Sequence, residues 1–314
     1  MADTAPWLAE ATATRPRADA VWRRTRDGVR LRVALWRPAG RARGSVLLFP
    51  GRTEHVEKHA GTACALMQAG FAVIAVDWRG QGLSDRLASP PQMGHVRRFG
   101  DYQRDVAVLT GAAKEAALPR PWHLLAHSMG GTIGLRALHR GLRVGSAAFS
   151  APMWGIVIPP EKLAPAWIFS TAARMLGLGC RFAPGEGPES YAATAPFEGN
   201  LLTSDRARYL ESQRMLRAHP EIALGGVSLG WLGAALWETR ALARLQAPAL
   251  PALAFVGGDE NIVRPEVIRD RMAHWTRGEL VGFPGARHEL LMETDAVRDE
   301  VIARSVALFL RAGA

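Results

Sequence analysis

The feature that most constrains the fold is a series of short, continuous apolar runs that each end at a turn signal. The runs are SVLLFPG (45–51), FAVIAVDW (71–78), WHLLAH (122–127), GSAAFSAP (145–152), PALAFVGG (251–258) and GELVGFPG (278–285). Strands that are buried on both faces carry such runs, because neither face of the strand meets water. Segments with helical spacing separate the runs, so we expect an α/β protein whose mostly parallel central sheet is flanked by helices.

The chain opens differently from the rest of this pattern. ADAVWRRTRDGVRLRVALWRP alternates apolar and polar residues on both sides of Asp27-Gly28, which predicts an antiparallel hairpin with a tight primed turn. The helices are expected in EKHAGTACALMQAG, DYQRDVAVLTGAAKEAA, GTIGLRALHR, EVIRDRMAHW and DAVRDEVIARSVALFLRA.

The alternation breaks between residues 152 and 240. This stretch contains four tryptophans and two Pro/Gly-rich patches, IPPEKLAP and APGEGPESYAATAP. We therefore expect a helical insertion at 152–240 that lies over one end of the sheet as a lid. It would divide the sheet domain into an N-terminal part, 1–151, and a C-terminal part, 241–314.

Composition excludes several classes of protein. The 314 residues are 48% hydrophobic and 22% charged, which is ordinary for a globular protein and argues against wholesale disorder. The two cysteines fit neither a disulfide framework nor a metal site. The first 20 residues lack the pattern of a secretory leader, and no run reaches the roughly 20 apolar residues of a membrane span, so a cytoplasmic protein is predicted.

Arginine dominates the formal charge of +10. The first 45 residues hold ten arginines and four acidic residues. One interpretation is attraction to an anionic membrane surface or an acidic substrate, which would place the protein at the inner face of the membrane. The other is a solvated surface, because the arginines interleave with strand-like residues and form no block. No nucleic-acid partner is predicted.

Ser128 stands where the apolar strand WHLLAH meets a glycine-rich turn and an apolar helix. The sequence A-H-S-M-G differs from the nucleophile-elbow pattern G-x-S-x-G only at Ala126, and alanine is small enough for such a turn. The alternative is a serine that caps the N-terminus of the helix, the commonest use of serine before a helix.

A nucleophilic serine needs a histidine base, and the base needs an acid that orients it. His288, in FPGARHELLMET, follows an apolar strand and would emerge at the same sheet edge as Ser128. His219 and His274 are interpreted as surface or packing residues. The acid should come from the loop after PALAFVGG, where the spacing favours Glu260 over its neighbour Asp259; both would be an acidic surface turn otherwise.

Acyl transfer also needs hydrogen-bond donors for the developing oxyanion. The expected donors are the backbone N–H groups of Met129 and of Arg52, the latter in the loop PGRTEH. That loop is a plain Pro-Gly turn in the alternative interpretation.

Metal and cofactor chemistry have weaker signals. EHVEKH places His55 and His59 four residues apart beside acidic residues, but it matches no zinc motif and has no obvious third ligand. DWRGQGLSD lacks the spacing of a dinucleotide loop and is interpreted as a structural turn in which Asp77 and Arg79 hold backbone. Neither a metal nor a cofactor is predicted.

Six motifs agree in order and spacing with one superfamily. PGRTEH, VDWRGQGLSD, GHVRRFGDYQRDV, LLAHSMGG, FSAPMWGI and GARHELLME together resemble the α/β-hydrolases. More narrowly, they are similar to bacterial lysophospholipase L2 proteins and monoacylglycerol lipases, from about residue 20 to the C-terminus. The likeness is weakest in the insertion.

The resemblance implies Ser128 as nucleophile, His288 as base, Glu260 or Asp259 as acid, and the Arg52 and Met129 N–H groups as oxyanion donors. It implies a lid over an acyl pocket and an ester of a lysophospholipid or monoacylglycerol as substrate. Pro50 and the glutamate of the acid loop depart from the monoacylglycerol lipase pattern. A small-ester carboxylesterase and a non-catalytic ligand-binding α/β-hydrolase are the competing hypotheses.

Overall fold

The computed structural model describes residues 3–8 and 16–313. The predicted absence of a secretory leader concerns residues 1–20, and residues 1–2 and 9–15 of that stretch lie outside the described part of the chain. In the described part, no helix has both the length and the apolar character needed to cross a membrane.

One mixed sheet forms the centre of the described structure. Its strands are β1 (Asp19–Arg24), β2 (Arg30–Trp36), β3 (Gly44–Phe49), β4 (Phe71–Val76), β5 (Trp122–His127), β6 (Ala147–Ser150), β7 (Ala252–Gly257) and β8 (Gly278–Phe283). They lie in the order β1-β2-β4-β3-β5-β6-β7-β8. β1 and β2 join the sheet antiparallel, and all pairs from β4 to β8 are parallel. The predicted α/β architecture with a mostly parallel sheet is confirmed.

The first two strands form the predicted hairpin, with Arg24 opposite Arg30. Gly28 in the connecting turn has φ of 88°, a left-handed conformation that costs glycine little because it has no Cβ. Asp27 is not at positive φ, as a primed turn at Asp27-Gly28 would require, so the predicted turn type was wrong.

The described residues form nine α-helices. They are α1 (Ala60–Gln68), α2 (Tyr102–Glu115), α3 (Met129–His139), α4 (Pro160–Met175), α5 (Tyr191–Thr194), α6 (Arg206–Ala218), α7 (Leu229–Ala243), α8 (Pro265–Ala273) and α9 (Asp295–Gly313). Short 3-10 helices lie at Val56–His59, Phe99–Asp101, Pro220–Ile222 and Leu290–Met292.

The two faces of the sheet support separate hydrophobic cores, because successive strand residues point to opposite faces. In β3, Leu47 packs into the core that includes residues of α2, α3, α7 and α8. Its neighbour Leu48 packs into the core that includes residues of α1 and α9. Burial on both faces explains why β3 to β7 appear in the sequence as continuous apolar runs. β8 lies at the edge of the sheet and is only partly buried, so the expected burial on both faces was wrong for this strand.

The chain between β6 and β7 leaves the sheet and forms α4 to α7. α7 contacts both α4 and α3, and its Trp231 and Ala235 are buried in the same core as α3. The predicted boundary at residue 240 therefore falls inside α7, which ends at Ala243. The composition of the sequence does not change at this helix end, because α7 packs against both α3 and α4.

Candidate active site

Ser128 occupies a sharp turn between β5 and α3, with φ of 49° and ψ of −116°. A non-glycine residue at positive φ is strained and is tolerated where the surrounding structure enforces it. The glycines that follow permit the turn. A Cβ on Gly130 would lie 2.1 Å from the Phe49 carbonyl oxygen, and a Cβ on Gly131 would lie 2.5 Å from the Cβ of Pro152.

Ala126, which replaces the first glycine of the elbow pattern, is fully buried. It faces α3 at Gly134, where an added Cβ would come within 3.5 Å of the Ala126 Cβ and 2.9 Å of Leu124. The Ala126 distance is an ordinary van der Waals contact, so the close approach at Gly134 is to Leu124, and the Ala126 methyl group fits in the strand. Ser128 stands at the N-cap position of α3, but its side chain makes no capping hydrogen bond.

The Ser128 hydroxyl instead contacts a histidine and, through it, a carboxylate. His288 Nε2 lies 2.8 Å from Ser128 Oγ, and His288 Nδ1 lies 2.8 Å from Glu260 Oε2. A carboxylate beside Nδ1 favours the tautomer that is protonated there, which leaves Nε2 free to accept the serine proton. The three residues come from the ends of β5, β7 and β8, at one edge of the sheet.

Glu260 is held as an ionised carboxylate. Its Oε1 accepts the N–H groups of Ile262 and Val263 at 2.8 and 3.1 Å. Burial by itself raises the pKa of Glu260, but the charge of His288 and these hydrogen bonds lower the pKa below its ordinary value. The neighbouring Asp259 is exposed. Of the two candidate acids, the structure brings Glu260 to His288.

A second histidine, His127, directly precedes the serine in the chain. The buried His127 is bonded through Nδ1 to the Ser150 carbonyl oxygen at 3.0 Å, and its ring centroid is 4.9 Å from that of His288. Burial lowers the pKa of His127 to about 3, with a further contribution from the nearby charge of His288. His127 is therefore a neutral neighbour of the site at physiological pH. Sequence reasoning did not single it out.

The other two downstream histidines lie outside the cavity that contains Ser128. His219 contacts Glu221 at 3.3 Å. The exposed His274 contacts the carbonyl oxygen of Asp270 in its own helix at 2.7 Å.

The predicted oxyanion loop follows β3 directly, and several side chains fix its backbone. Trp78 Nε1 donates to the Pro50 carbonyl at 2.9 Å, and Gln81 both donates to the Gly51 carbonyl and accepts the Thr53 N–H. The N–H groups of Arg52 and Met129 donate to no described residue, so both remain available to a ligand.

The residues of EHVEKH do not converge on a common point. His55 Nδ1 lies 3.0 Å from Glu57, while His59 Nε2 lies 3.0 Å from Glu54. Each histidine thus serves a different carboxylate, and the described residues contain no cluster of potential metal ligands.

The same segment carries a buried ion-pair network that sequence reasoning missed. Lys58 lies between Glu54, at 3.1 Å, and Glu289, at 2.6 Å. Glu54 also accepts the Gly51 N–H of the oxyanion loop, and Glu289 directly follows His288. Lys58 therefore links the predicted oxyanion loop to the loop that contains His288. In the sequence, only the i,i+4 spacing of Glu54 and Lys58 indicates an ion pair in this segment.

The predicted structural turn DWRGQGLSD behaves only partly as expected. Asp77 accepts the backbone N–H groups of Val56 and Leu83 at 2.9 Å, which confirms its backbone role. The Arg79 side chain instead pairs with Asp27 and Asp105, so its predicted contact with backbone was wrong. The carboxylates are distant in sequence, which explains the error.

A cavity of about 770 Å³ opens onto Ser128 and His288. The sheet domain contributes Arg52, Thr53, His127 and Ile262 to its wall, and the chain between β6 and β7 contributes mainly apolar residues, among them Ile156, Val157, Ala166, Phe169, Trp231 and Leu232. A mainly apolar cavity that reaches Ser128 suits a ligand with an apolar chain.

Comparison with known proteins gives consistent results. A family model described as "Serine aminopeptidase, S33" matches residues 40–295. Lysophospholipase L2 of Escherichia coli is 34% identical over 278 residues, which is 85% of this chain and 80% of that protein. Monoacylglycerol lipase of Mycolicibacterium smegmatis is 27% identical, covering 85% and 89%. A soluble variant of monoglyceride lipase from Saccharomyces cerevisiae has the same fold, with a TM-score of 0.72 at 21% identity over 98% of this chain and 99% of that one.

Proposed function

From the premise that the chain belongs to the α/β-hydrolase family described as serine aminopeptidase, S33, we propose that it is a serine hydrolase that cleaves carboxylic esters of acyl-chain lipids. The substrates would be lysophospholipids or monoacylglycerols. The observation that carries the proposal is the pair of 2.8 Å contacts of His288, one to Ser128 and one to Glu260. The lipase and lysophospholipase relatives support the class of substrate.

In the proposed mechanism, Ser128 Oγ attacks the ester carbonyl while His288 Nε2 accepts the serine proton. Glu260 orients the imidazole and stabilises its protonated form. The N–H groups of Met129 and Arg52 bind the oxyanion of the tetrahedral intermediate. His288 then protonates the departing alcohol, and water releases the acyl group from Ser128 by the reverse sequence of proton transfers.

We assign residues 152–240 the role of a lid over the acyl chain, between core parts 1–151 and 241–314. The apolar residues that this segment contributes to the cavity wall support that role. A small-ester carboxylesterase would use the same catalytic residues, but a cavity of about 770 Å³ exceeds what a short acyl group fills.

We also propose weak peripheral contact with the inner face of an anionic membrane. Several large apolar side chains of α4 point into solvent, including Ile168 at 64% and Met175 at 81% exposure. Exposed apolar clusters of this kind mark interaction sites, and the net charge of +10 favours an anionic surface.

A fluorophosphonate probe tests the proposed nucleophile. The probe should label the native protein, and labelling should disappear in Ser128→Ala, together with hydrolysis of a short-chain acyl ester. A native protein that is not labelled would support the non-catalytic ligand-binding hypothesis. Labelling that persists in Ser128→Ala would place the nucleophile at another residue.

A further inference from the structure

The Arg52 side chain lines the same cavity as Ser128 and His288, yet it forms no ion pair with any described residue. One terminal nitrogen, Nη2, donates to the carbonyl oxygen of Gly225, and the guanidinium carbon lies 5.5 Å from the centre of the Trp231 ring. Its Nε is buried without a partner. The remaining nitrogen, Nη1, donates to no described residue.

Two other buried guanidinium groups in the described part of the chain are neutralised by carboxylates. Arg32 lies between Glu57 and Asp77, at 2.7 and 2.8 Å, and Arg79 lies between Asp27 and Asp105. A buried charge without a counter-charge is costly. Arg52 carries that cost inside the cavity that would receive the substrate.

Two other arginines whose pKa is lowered by burial, Arg86 and Arg271, also form no ion pair with a described residue. Arg86 donates to several carbonyl oxygens, including those of Gly80 and Gly82, and Arg271 donates to those of Leu242 and Leu245. Neither of these arginines lines the cavity. Arg271 also has a buried Nε without a partner, so it is the place of Arg52 in the cavity that distinguishes it from these two arginines.

The surrounding backbone accommodates the guanidinium group closely. A Cβ on Gly94 would lie 2.6 Å from Nη2 and 3.1 Å from Nε of Arg52, so this position of the side chain requires glycine there. The nearest described acid in electrostatic terms is Glu186, whose attraction opposes the lowering of the Arg52 pKa by burial. The exposed Glu186 carboxylate bonds to the Val227 N–H at 3.2 Å instead.

We propose that the Arg52 side chain binds the phosphodiester of the substrate head group and so makes a monoacyl glycerophosphodiester a better substrate than the matching monoacylglycerol. Phosphate oxygens match the planar donors of a guanidinium group. The neutral glycerol of a monoacylglycerol supplies hydroxyl groups but no counter-charge. The inference rests on the proposed function, because it assigns a head group to the same site.

The test compares kcat/KM for a short-chain monoacyl glycerophosphodiester with kcat/KM for the monoacylglycerol that has the same acyl chain. Arg52→Met should lower the ratio of these two values at least about tenfold, the scale of one charge-assisted contact, and Arg52→Lys should lower it less. If the substitution also disturbs the oxyanion loop, kcat/KM would fall for both substrates alike, and their ratio would not change. A ratio within twofold of the native value in Arg52→Met would overturn the proposal.

Arg86→Met is the matched control, since it removes a guanidinium group that also lacks a carboxylate partner but lies outside the cavity. Its substrate ratio should equal the native one. If Arg86→Met lowers the ratio as much as Arg52→Met, the selectivity does not reside in Arg52.

Equilibrium binding in a Ser128→Ala background separates this proposal from the proposed function, because binding requires no chemistry. Adding Arg52→Met should weaken binding of the phosphodiester lipid about tenfold more than it weakens binding of the monoacylglycerol. Inorganic phosphate distinguishes a lipid head group from a free anion. Loss of phosphate binding without loss of lipid binding would make Arg52 a free-anion site and overturn the proposal.

Discussion

The two walls of the cavity are held in place by different means. On the sheet side, Ser128, His288 and Glu260 are each at most 7% exposed, and buried ion pairs fix the loops around them. On the insertion side, α4 packs against α7 but leaves Ile168 and Met175 largely in solvent. Residues 152–240 hold ten of the twelve large exposed apolar side chains in the described chain.

This difference separates two requirements of a lipid hydrolase. The reacting groups need fixed geometry, which strand ends and buried networks provide. An acyl chain needs an apolar surface that can adapt to it, and loosely packed elements open at lower free-energy cost than core elements. The contrast predicts that substitutions at the reacting groups and their buried ion pairs affect rate and stability, whereas substitutions on the insertion side affect binding.

The largest effect is expected at the acid. Glu260→Gln should lower kcat for ester hydrolysis about 10³- to 10⁴-fold, because an amide beside Nδ1 no longer holds the tautomer that leaves Nε2 basic. Asp259→Asn is the matched control and should retain near-native kcat, since Asp259 is exposed. A large loss in Asp259→Asn with a small one in Glu260→Gln would reverse the assignment.

The next effect concerns stability. Lys58→Met leaves Glu54 and Glu289 buried without their shared counter-charge, so we expect the free energy of unfolding to fall by about 3–5 kcal/mol. Lys162→Met removes the same charge from an exposed position on α4 and should change stability by less than about 0.5 kcal/mol. Chemical denaturation measures both variants. Equal losses would show that the insertion wall is held as firmly as the sheet wall.

The smallest effect is expected on membrane contact. Ile168→Ser combined with Met175→Ser should lower the fraction bound to anionic vesicles several-fold and leave the unfolding free energy within about 0.5 kcal/mol of native. Leu310→Ser on α9 removes another exposed apolar side chain and should not alter vesicle binding. Marked destabilisation of the α4 variant would instead mean that these side chains are packed.

Features encoded by local pattern were predictable. The apolar runs, the hairpin at Asp27-Gly28 and the glycine-rich turn around Ser128 all follow from period, turn chemistry and strand burial, which depend on neighbours in the chain. Ser128, the acid loop and His288 each follow a predicted strand, so their order in the chain also predicted that they meet at one edge of the sheet. The end of the insertion was less predictable, since α7 packs on both α4 and α3 and shows no change of pattern at its boundary.

The sequence by itself determined the α/β fold and the candidate nucleophile and base, because strand period and chain order restrict where such residues emerge from a parallel sheet. Only the tertiary structure decided that Glu260 rather than Asp259 reaches His288, since adjacent side chains point in different directions. It alone brought Lys58 to Glu289 and left Arg52 without an ion pair among the described residues. Charge pairing depends on distances between residues far apart in the chain, and a linear pattern carries no record of those distances.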